Sequence, residues 1–163
     1  MTIGQALLPE FEREMATTRR LLERVPSEKA QWKPHNKSFA LGHLTQLISW
    51  MPGWITSTLQ AESLDLAVAP KYTFETAETL LRGFVENVRS ARAALMAAQD
   101  ADFGKTWSLK HGERVLFAAP RGVIVRHPIN HLVHHRGQLT VYLRLLDVPL
   151  PPIYGPTADE RTF

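Results

Sequence analysis

The sequence predicts an all-α protein, a single domain over residues 1–163 built as a four-helix bundle with long connections and a short hairpin-like excursion before the last helix. Four segments carry apolar residues at three- and four-residue steps, the spacing of one helix face. The connections between them are polar or rich in proline, and nothing in them makes a convincing sheet. In such a bundle, side chains on facing helices build any site inside the core.

The first helix is predicted from Ile3 to Leu22. Thr2 and Gln5 stand where a capping box requires them, each side chain bonding the backbone N–H of the other residue. The same segment carries acidic residues and no basic start followed by an apolar core, so we do not expect a secretory signal. No stretch approaches the roughly 18 apolar residues of a membrane-spanning helix. We therefore expect a cytoplasmic protein with no membrane partner.

The second helix is predicted from about Phe39 to Leu59, with Ser38 as its N-cap. Pro52 should kink this helix or end its regular hydrogen bonding. Its apolar stripe consists of Phe39, His43, Leu47, Trp50 and Trp54. His43 is the imidazole that interrupts the stripe, and the two tryptophans form an aromatic wall that serves either core packing or a substrate.

The third helix is predicted from about Thr73 to Gln99, with Glu75 and Glu78 in its first turn, where the helix dipole favours acidic residues. Residues 106–117 break the helical period with apolar residues on both sides of a turn-like KHGE, which indicates a short hairpin or an extended excursion. The fourth helix should open near Pro120 or Arg121 and reach about Asp147. The proline-rich tail beyond it is expected to be an extended wrap or an ordered coil.

The composition excludes several classes of function. The chain has no cysteine, so a disulfide scaffold, a thiolate nucleophile, an iron–sulfur cluster and a cysteine zinc site are all excluded. Nineteen Lys and Arg against sixteen Asp and Glu leave a net charge of +3, and the basic residues are scattered. This balance makes nucleic acid an unlikely partner. Metal or nucleophile chemistry must therefore use histidine, carboxylate, hydroxyl or a group from outside the chain.

His131 and His135 lie one turn apart on the fourth predicted helix, so both rings project from one face. Two imidazoles at this spacing form a bidentate clamp for a metal ion. His43 is the candidate third ligand, because a neutral imidazole in an apolar stripe is satisfied by coordinating a cation. The alternatives are a hydrogen-bonded core histidine at position 43 and a chance pairing of the other two.

Four neighbours of the pair have candidate roles. Gln138 and Tyr142 follow along the same face and are the candidate catalytic residues, Gln138 to orient a ligand or donate to substrate and Tyr142 to supply a hydroxyl. The alternative for both is core packing with a satisfied polar tip. His134 should lie at the rim or hydrogen-bond a neighbour. Arg136 points away and is expected to be a structural cation rather than an anion hook.

The segment Asn130-His131-Leu132-Val133-His134-His135-Arg136-Gly137-Gln138 resembles the signature of the DinB/YfiT-like family, the DinB superfamily. Other marks of the family are Trp32-Lys33-Pro34, Gly42-His43-Leu44 and the stretch from Pro152 to Pro156, so the resemblance spans nearly the whole chain. It implies a four-helix bundle, often a homodimer, with His43, His131 and His135 as metal ligands. The hairpin and the loop after the second helix match no family motif.

The resemblance also implies a chemistry. Relatives include S-transferases and isomerases that use low-molecular-weight thiols such as bacillithiol or mycothiol, with zinc, nickel or another divalent ion. We therefore expect one divalent metal ion, zinc or nickel, a small-molecule substrate and a thiol cosubstrate, with the thiol supplied from outside a chain that has no cysteine. The alternatives are a metal-dependent hydrolase with the same site and a non-catalytic metal-binding module.

Overall fold

The computed structural model describes residues 1–161, so the last two residues of the predicted domain lie outside the described part. In chain order the elements are α1 (Ile3–Leu22), α2 (Leu41–Gln60), β1 (Ser63–Asp65), α3 (Ala77–Ala97), α4 (Asp100–Phe103), β2 (Thr106–His111), β3 (Arg114–Pro120), α5 (Arg121–Ile124) and α6 (His127–Leu145). Helices α1, α2, α3 and α6 are 19 to 21 residues long and pack as a bundle around one apolar core. None of the helices within residues 1–161 has the length and hydropathy needed to cross a membrane.

Helix α1 confirms the predicted element at both ends. The backbone N–H of Gln5 donates to Thr2 Oγ1 at 3.2 Å, and the N–H of Thr2 donates to Gln5 Oε1 at 2.9 Å. This capping box satisfies two of the free N–H groups that every helix N-terminus exposes. The start of a helix that is capped by nearby residues can thus be located from sequence alone.

Helices α2 and α3 begin later than predicted. Ser38 is not the N-cap of α2, which starts at Leu41 behind Ala40 without a side-chain cap. The N–H groups of Leu41 and Gly42 donate instead to the carbonyls of Trp32 and Ala30, at 2.9 and 2.8 Å. Backbone carbonyls of the preceding connection therefore accept from the first N–H groups of the helix. No local cap motif reveals these hydrogen bonds. The helix continues through Pro52.

Helix α3 starts at Ala77, after Thr76, whose hydroxyl accepts from the N–H of Thr79 at 3.1 Å. The predicted start near Thr73 is thus wrong by about one turn, because Thr76 makes the capping hydrogen bond. Glu75 precedes the helix, whereas Glu78 does lie in its first turn, where the dipole favours a carboxylate.

A small sheet corrects the all-α prediction. The predicted hairpin exists as antiparallel β2 and β3, with Thr106 opposite Pro120 and an irregularity between Leu109 and Lys110. Strand β1 then adds parallel to β2, with Ser63 opposite Ser108, to give the order β1-β2-β3 within residues 1–161. Three residues are too few to show strand alternation, so β1 depends on its partner rather than on its own sequence.

The predicted last helix is split in two. Helix α5 ends at Ile124, and α6 begins at His127 with Pro128 in its first turn. A proline lacks the backbone N–H, and its ring clashes with the carbonyl four residues earlier, which here belongs to Ile124. Pro128 is tolerated in a first turn, where its missing N–H would have had no helical partner. A helix can also continue through a proline, as α2 does through Pro52, but here the helix breaks between Ile124 and His127.

Candidate metal centre

His131 and His135 form a close pair on α6. Their Nε2 atoms lie 2.9 Å apart and their ring centroids 4.6 Å apart, so the two side chains project from the same face as predicted. His135 is buried, whereas His131 is exposed at the margin of the bundle. The pair thus has one ring anchored in the protein and one that borders solvent.

Gln138 fixes the protonation of this pair. Its Oε1 accepts from His135 Nδ1–H at 2.7 Å, and its Nε2 donates to Nε2 of His134 at 3.1 Å. Because an amide oxygen can only accept, the orientation of Gln138 in which Oε1 faces His135 places the proton of neutral His135 on Nδ1. Its Nε2 therefore presents a lone pair to His131, the arrangement found when the outer nitrogen of a metal-ligating histidine is held by a hydrogen bond.

The chemistry of these two donors fits a divalent ion. With a lone pair on His135 Nε2, the short contact requires His131 Nε2 to donate a proton across the 2.9 Å between the rings. Two imidazole nitrogens bound tetrahedrally to one zinc ion lie roughly 3.4 Å apart. A cation that displaced this proton would thus need only a small separation of the two rings.

Desolvation favours the neutral form of these histidines. Partial desolvation lowers the pKa of His131 although its ring reaches solvent, assisted by the charges of His135, His134 and His127. It also lowers the pKa of His135, against the hydrogen bond to Gln138, which raises it. An imidazole must be neutral to bind a metal, so the environment favours in both rings the protonation state that a metal ion requires.

His43 lies inside a column of stacked rings, and one of these, Phe39, lies 6.3 Å from the His135 ring between centroids. Its imidazole stacks on Phe39 at 4.4 Å and on Tyr72 at 3.9 Å between ring centroids, and Tyr72 stacks on Trp50 at 4.7 Å. Burial lowers the pKa of His43 as well, with a smaller contribution from Lys33. Within residues 1–161 no group of three or more His, Asp or Glu side chains is arranged to hold a metal ion. The third ligand therefore stays a prediction.

Two cavities flank the histidine pair. On the His135 side, a cavity of about 410 Å³ is lined by Lys37, Ser38, Phe39, Val141, Gln138 and Tyr142. The two candidate catalytic residues thus share a cavity with His135, as predicted. Tyr142 donates its hydroxyl proton to the carbonyl of Phe39 at 3.2 Å, and Gln138 contacts the histidines. On the His131 side lies a second, mostly apolar cavity of about 280 Å³, which His127 also lines.

Sequence reasoning missed Tyr72, which covers His43, and Trp107, which lines the apolar cavity. Tyr72 belongs to the polar connection between α2 and α3, and Trp107 to β2. Neither has a motif or a helical spacing that relates it to a histidine. Their proximity to the site follows from how distant segments pack, so no signal in the local sequence could have identified them.

Arg136 has the structural role predicted for it. The guanidinium is buried and donates to Glu14 Oε2 at 2.6 Å, to the Glu14 carbonyl at 3.1 Å and to Thr18 Oγ1 at 3.2 Å. Tyr154, in the tail after α6, donates its hydroxyl proton to the same Glu14 oxygen at 2.9 Å. This network joins α6, α1 and the tail.

Comparison with known proteins agrees with this fold and signature. The chain is 28% identical over 162 residues to the uncharacterized protein YrdA of Bacillus subtilis, covering 94% of this chain and 89% of YrdA. A DinB-like protein of Bacillus cereus superposes with a TM-score of 0.72 at 22% identity, over 92% of this chain and 97% of that one. A DinB-like protein of B. subtilis, YjoA, also gives 0.72, at 15% identity and over 96% and 99% of the two chains. The sequence profile of the DinB family matches residues 1–162, and the chain therefore belongs to the DinB family.

Proposed function

We propose that this protein is a divalent-metal-dependent enzyme that transfers a low-molecular-weight thiol to a small electrophile. His131 and His135 bind the ion through their Nε2 atoms, and His43 completes the ligand set. The observation that supports this proposal is the pairing of the two Nε2 atoms at 2.9 Å, with Gln138 holding the outer nitrogen of His135. A pair that served packing alone would have no need of a fixed lone pair directed at a second imidazole.

The recruitment of His43 requires that its ring leave the stack with Phe39 and Tyr72. Tyr72 is 37% exposed and lies on the connection between α2 and α3, outside both helices. Phe39 is 44% exposed and precedes α2. Both covering rings can therefore move without opening the core, because neither belongs to the buried cluster of the bundle.

A divalent ion held by these histidines would supply a Lewis acid that lowers the pKa of a bound thiol or water. In the transfer, the thiol sulfur forms a bond to an electrophilic carbon, the leaving group departs with the bonding electron pair, and the thiol proton passes to solvent. Gln138 holds the tautomer of His135. Lys37 brings a cationic group to the cavity beside His135 and suits a thiol that carries a carboxylate.

Loss of metal in single variants tests the ligands. We expect about one equivalent of zinc or nickel in the wild-type protein and none in His131→Ala or His135→Ala, as measured by elemental analysis. His111→Ala, which changes an exposed histidine of the hairpin, is the matched control and should keep its metal. Full occupancy in both α6 variants would contradict the assignment.

A thiol panel tests the reaction. Metal-loaded protein is assayed with bacillithiol, mycothiol, glutathione and coenzyme A against a chromogenic aryl halide, and we expect metal-dependent turnover with at least one thiol. Hydrolysis of a model ester or amide without any thiol would replace the transferase by a hydrolase. Stoichiometric metal with neither activity would indicate a metal-binding module.

A further inference from the structure

The cavity beside His135 contains one cationic side chain, that of Lys37. No Asp or Glu side chain from residues 1–161 lines this cavity of about 410 Å³. Lys37 is exposed and forms no ion pair with a carboxylate of the described part of the chain. The cavity therefore offers a positive charge that no protein group balances.

Ser38, the next residue, adds a hydroxyl to the same end of the cavity. Its side chain makes no hydrogen bond within residues 1–161, and its oxygen is accessible to solvent. The other polar side chains of the cavity already have partners, since Gln138 bonds two histidines and Tyr142 donates to the carbonyl of Phe39. The groups left for a ligand are thus an ammonium and a hydroxyl on adjacent residues, and both can donate.

Hydrogen bonds from backbone N–H groups hold these two residues in place. The N–H of Lys37 donates to His35 Nδ1 at 3.1 Å, and the N–H of Ser38 donates to the His35 carbonyl at 2.9 Å. The carbonyl of Phe39, which follows, accepts from the hydroxyl of Tyr142, a buried residue of α6. The turn that carries the two donors is therefore ordered before a ligand binds, which lowers the entropy cost of binding.

These two donors match a carboxylate. One carboxylate oxygen can accept from the ammonium and the other from the hydroxyl, and the single negative charge balances that of Lys37. A phosphate dianion would bring a second charge, for which the lining residues of this cavity hold no cation. The exposed side chains of Phe39 and Val141 supply apolar walls for the carbon chain of the ligand. One small acid can therefore extend from Ser38 to His135 within a single cavity.

We infer that Lys37 and Ser38 bind a carboxylate of the thiol cosubstrate, whose sulfur reaches the ion held by the histidines. The word thiol rests on the proposed function, whereas the carboxylate site itself does not. Lysine carries its ammonium on a flexible four-carbon stem, so one cation can reach carboxylates on chains of different length. The cavity thus selects thiols by their charge.

Two thiols of equal length test the inference in protein loaded with cobalt, a spectroscopic substitute for zinc. ω-Mercaptohexanoate carries a carboxylate, ω-mercaptohexanamide carries a neutral amide in its place, and the absorption of the cobalt–thiolate bond reports the binding of either. We expect the carboxylate to bind roughly 3- to 10-fold more tightly, the range of a charge-assisted hydrogen bond at an exposed site. Lys37→Gln should remove this preference without weakening the binding of the amide. Lys110→Gln changes a hairpin lysine outside the cavity and should keep the preference.

Hexanoate and hexanamide, which lack sulfur, test the carboxylate site without a metal. In the ¹H–¹⁵N spectrum of the chelator-treated full chain, we expect hexanoate to shift the Ser38 amide signal more than hexanamide does. Lys37→Gln should abolish the difference, and Lys110→Gln should retain it.

The outcomes separate this inference from the proposed function. Equal effects of hexanoate and hexanamide would overturn the carboxylate site even if the protein binds cobalt. A preference for the carboxylate thiol that persists in Lys37→Gln would mean that the carboxylate contacts the metal, and would also overturn it. Hexanoate binding to a protein that binds no cobalt would overturn the metal centre and support the carboxylate site. Hexanoate binding with equal affinity for the two thiols would overturn the assignment of the carboxylate to the thiol.

Discussion

His135 and Arg136 are neighbours in the chain, yet α6 directs them to two regions of opposite character. Arg136 enters a closed network in which Glu14 and Thr18 accept its hydrogen bonds, and the Glu14 carboxylate, which also accepts from Tyr154, balances its charge. His135 faces His131 and Gln138 and lines a cavity. The first region has a protein partner for its buried charge, whereas the second keeps a lone pair that a ligand can take. A buried polar cluster that is complete serves stability, and one that is incomplete is a candidate for binding.

The largest effect should come from breaking the closed network. Arg136→Met leaves the Glu14 carboxylate buried without its cation, and we expect a loss of about 3–5 kcal/mol in the free energy of unfolding, measured by urea denaturation. The double variant Glu14→Leu/Arg136→Met should recover most of this loss, because it removes both charges. A single variant within about 1 kcal/mol of wild type would show that the network is not a structural element.

Substitutions in the second region, around His135, should change metal affinity rather than stability. Gln138→Leu removes the acceptor of His135 Nδ1–H, and zinc affinity should fall by roughly 10- to 100-fold in a chelator competition titration. Gln138→Glu keeps an acceptor oxygen and should keep the affinity. Equal affinity in wild type and Gln138→Leu would contradict the positioning role.

The rings stacked on His43 allow a test of whether this histidine takes part in metal binding. Tyr72→Ala removes one of the two rings that hold His43, and the freed imidazole should raise zinc affinity by roughly 2- to 10-fold, the equivalent of one aromatic pair. Tyr72→Phe retains the stack and serves as the control, with affinity unchanged. If Tyr72→Ala binds zinc no better than wild type, the stack does not compete with metal binding.

The smallest effect is expected at an exposed ion pair. Arg126 donates to Glu10 at 2.9 Å between α1 and the break before α6, but its side chain is 57% exposed. Arg126→Met should cost less than about 1 kcal/mol in urea denaturation, because water and salt screen this pair. A loss of stability as large as that of Arg136→Met would mean that burial does not explain why the Arg136–Glu14 pair contributes more than the exposed Arg126–Glu10 pair.

The fold was predictable where residues close in the chain determine the structure. The start of α1 follows from its capping box, and the β2–β3 hairpin follows from a turn between two apolar runs. The starts of α2 and of β1 depended on hydrogen bonds from other segments, and these were missed. The break before α6 was encoded locally by Pro128, whose clash with Ile124 the helical pattern alone did not reveal.

The candidate site divides in the same way. The projection of His131 and His135 from one face follows from their spacing of four residues, and the structure confirms it. The bond from His135 to Gln138 is likewise one turn long. The stacking of His43 between Phe39 and Tyr72 was beyond sequence reasoning, because Tyr72 reaches it from a connection with no regular period. Helical spacing orients a side chain but does not choose its tertiary neighbour.

By itself, the sequence determined the helical faces, the histidine pair, the absence of an internal thiol and the family. The family follows from motifs along the chain, and the other features depend on composition and on residues within one helix, whose relative geometry the helix dictates. The tertiary structure decided the partner of Arg136, which lies 122 residues away in Glu14, the covering of His43 and the two cavities beside the pair. These contacts form between segments whose relative position is set by packing of the whole core, so they exist only once the chain has folded.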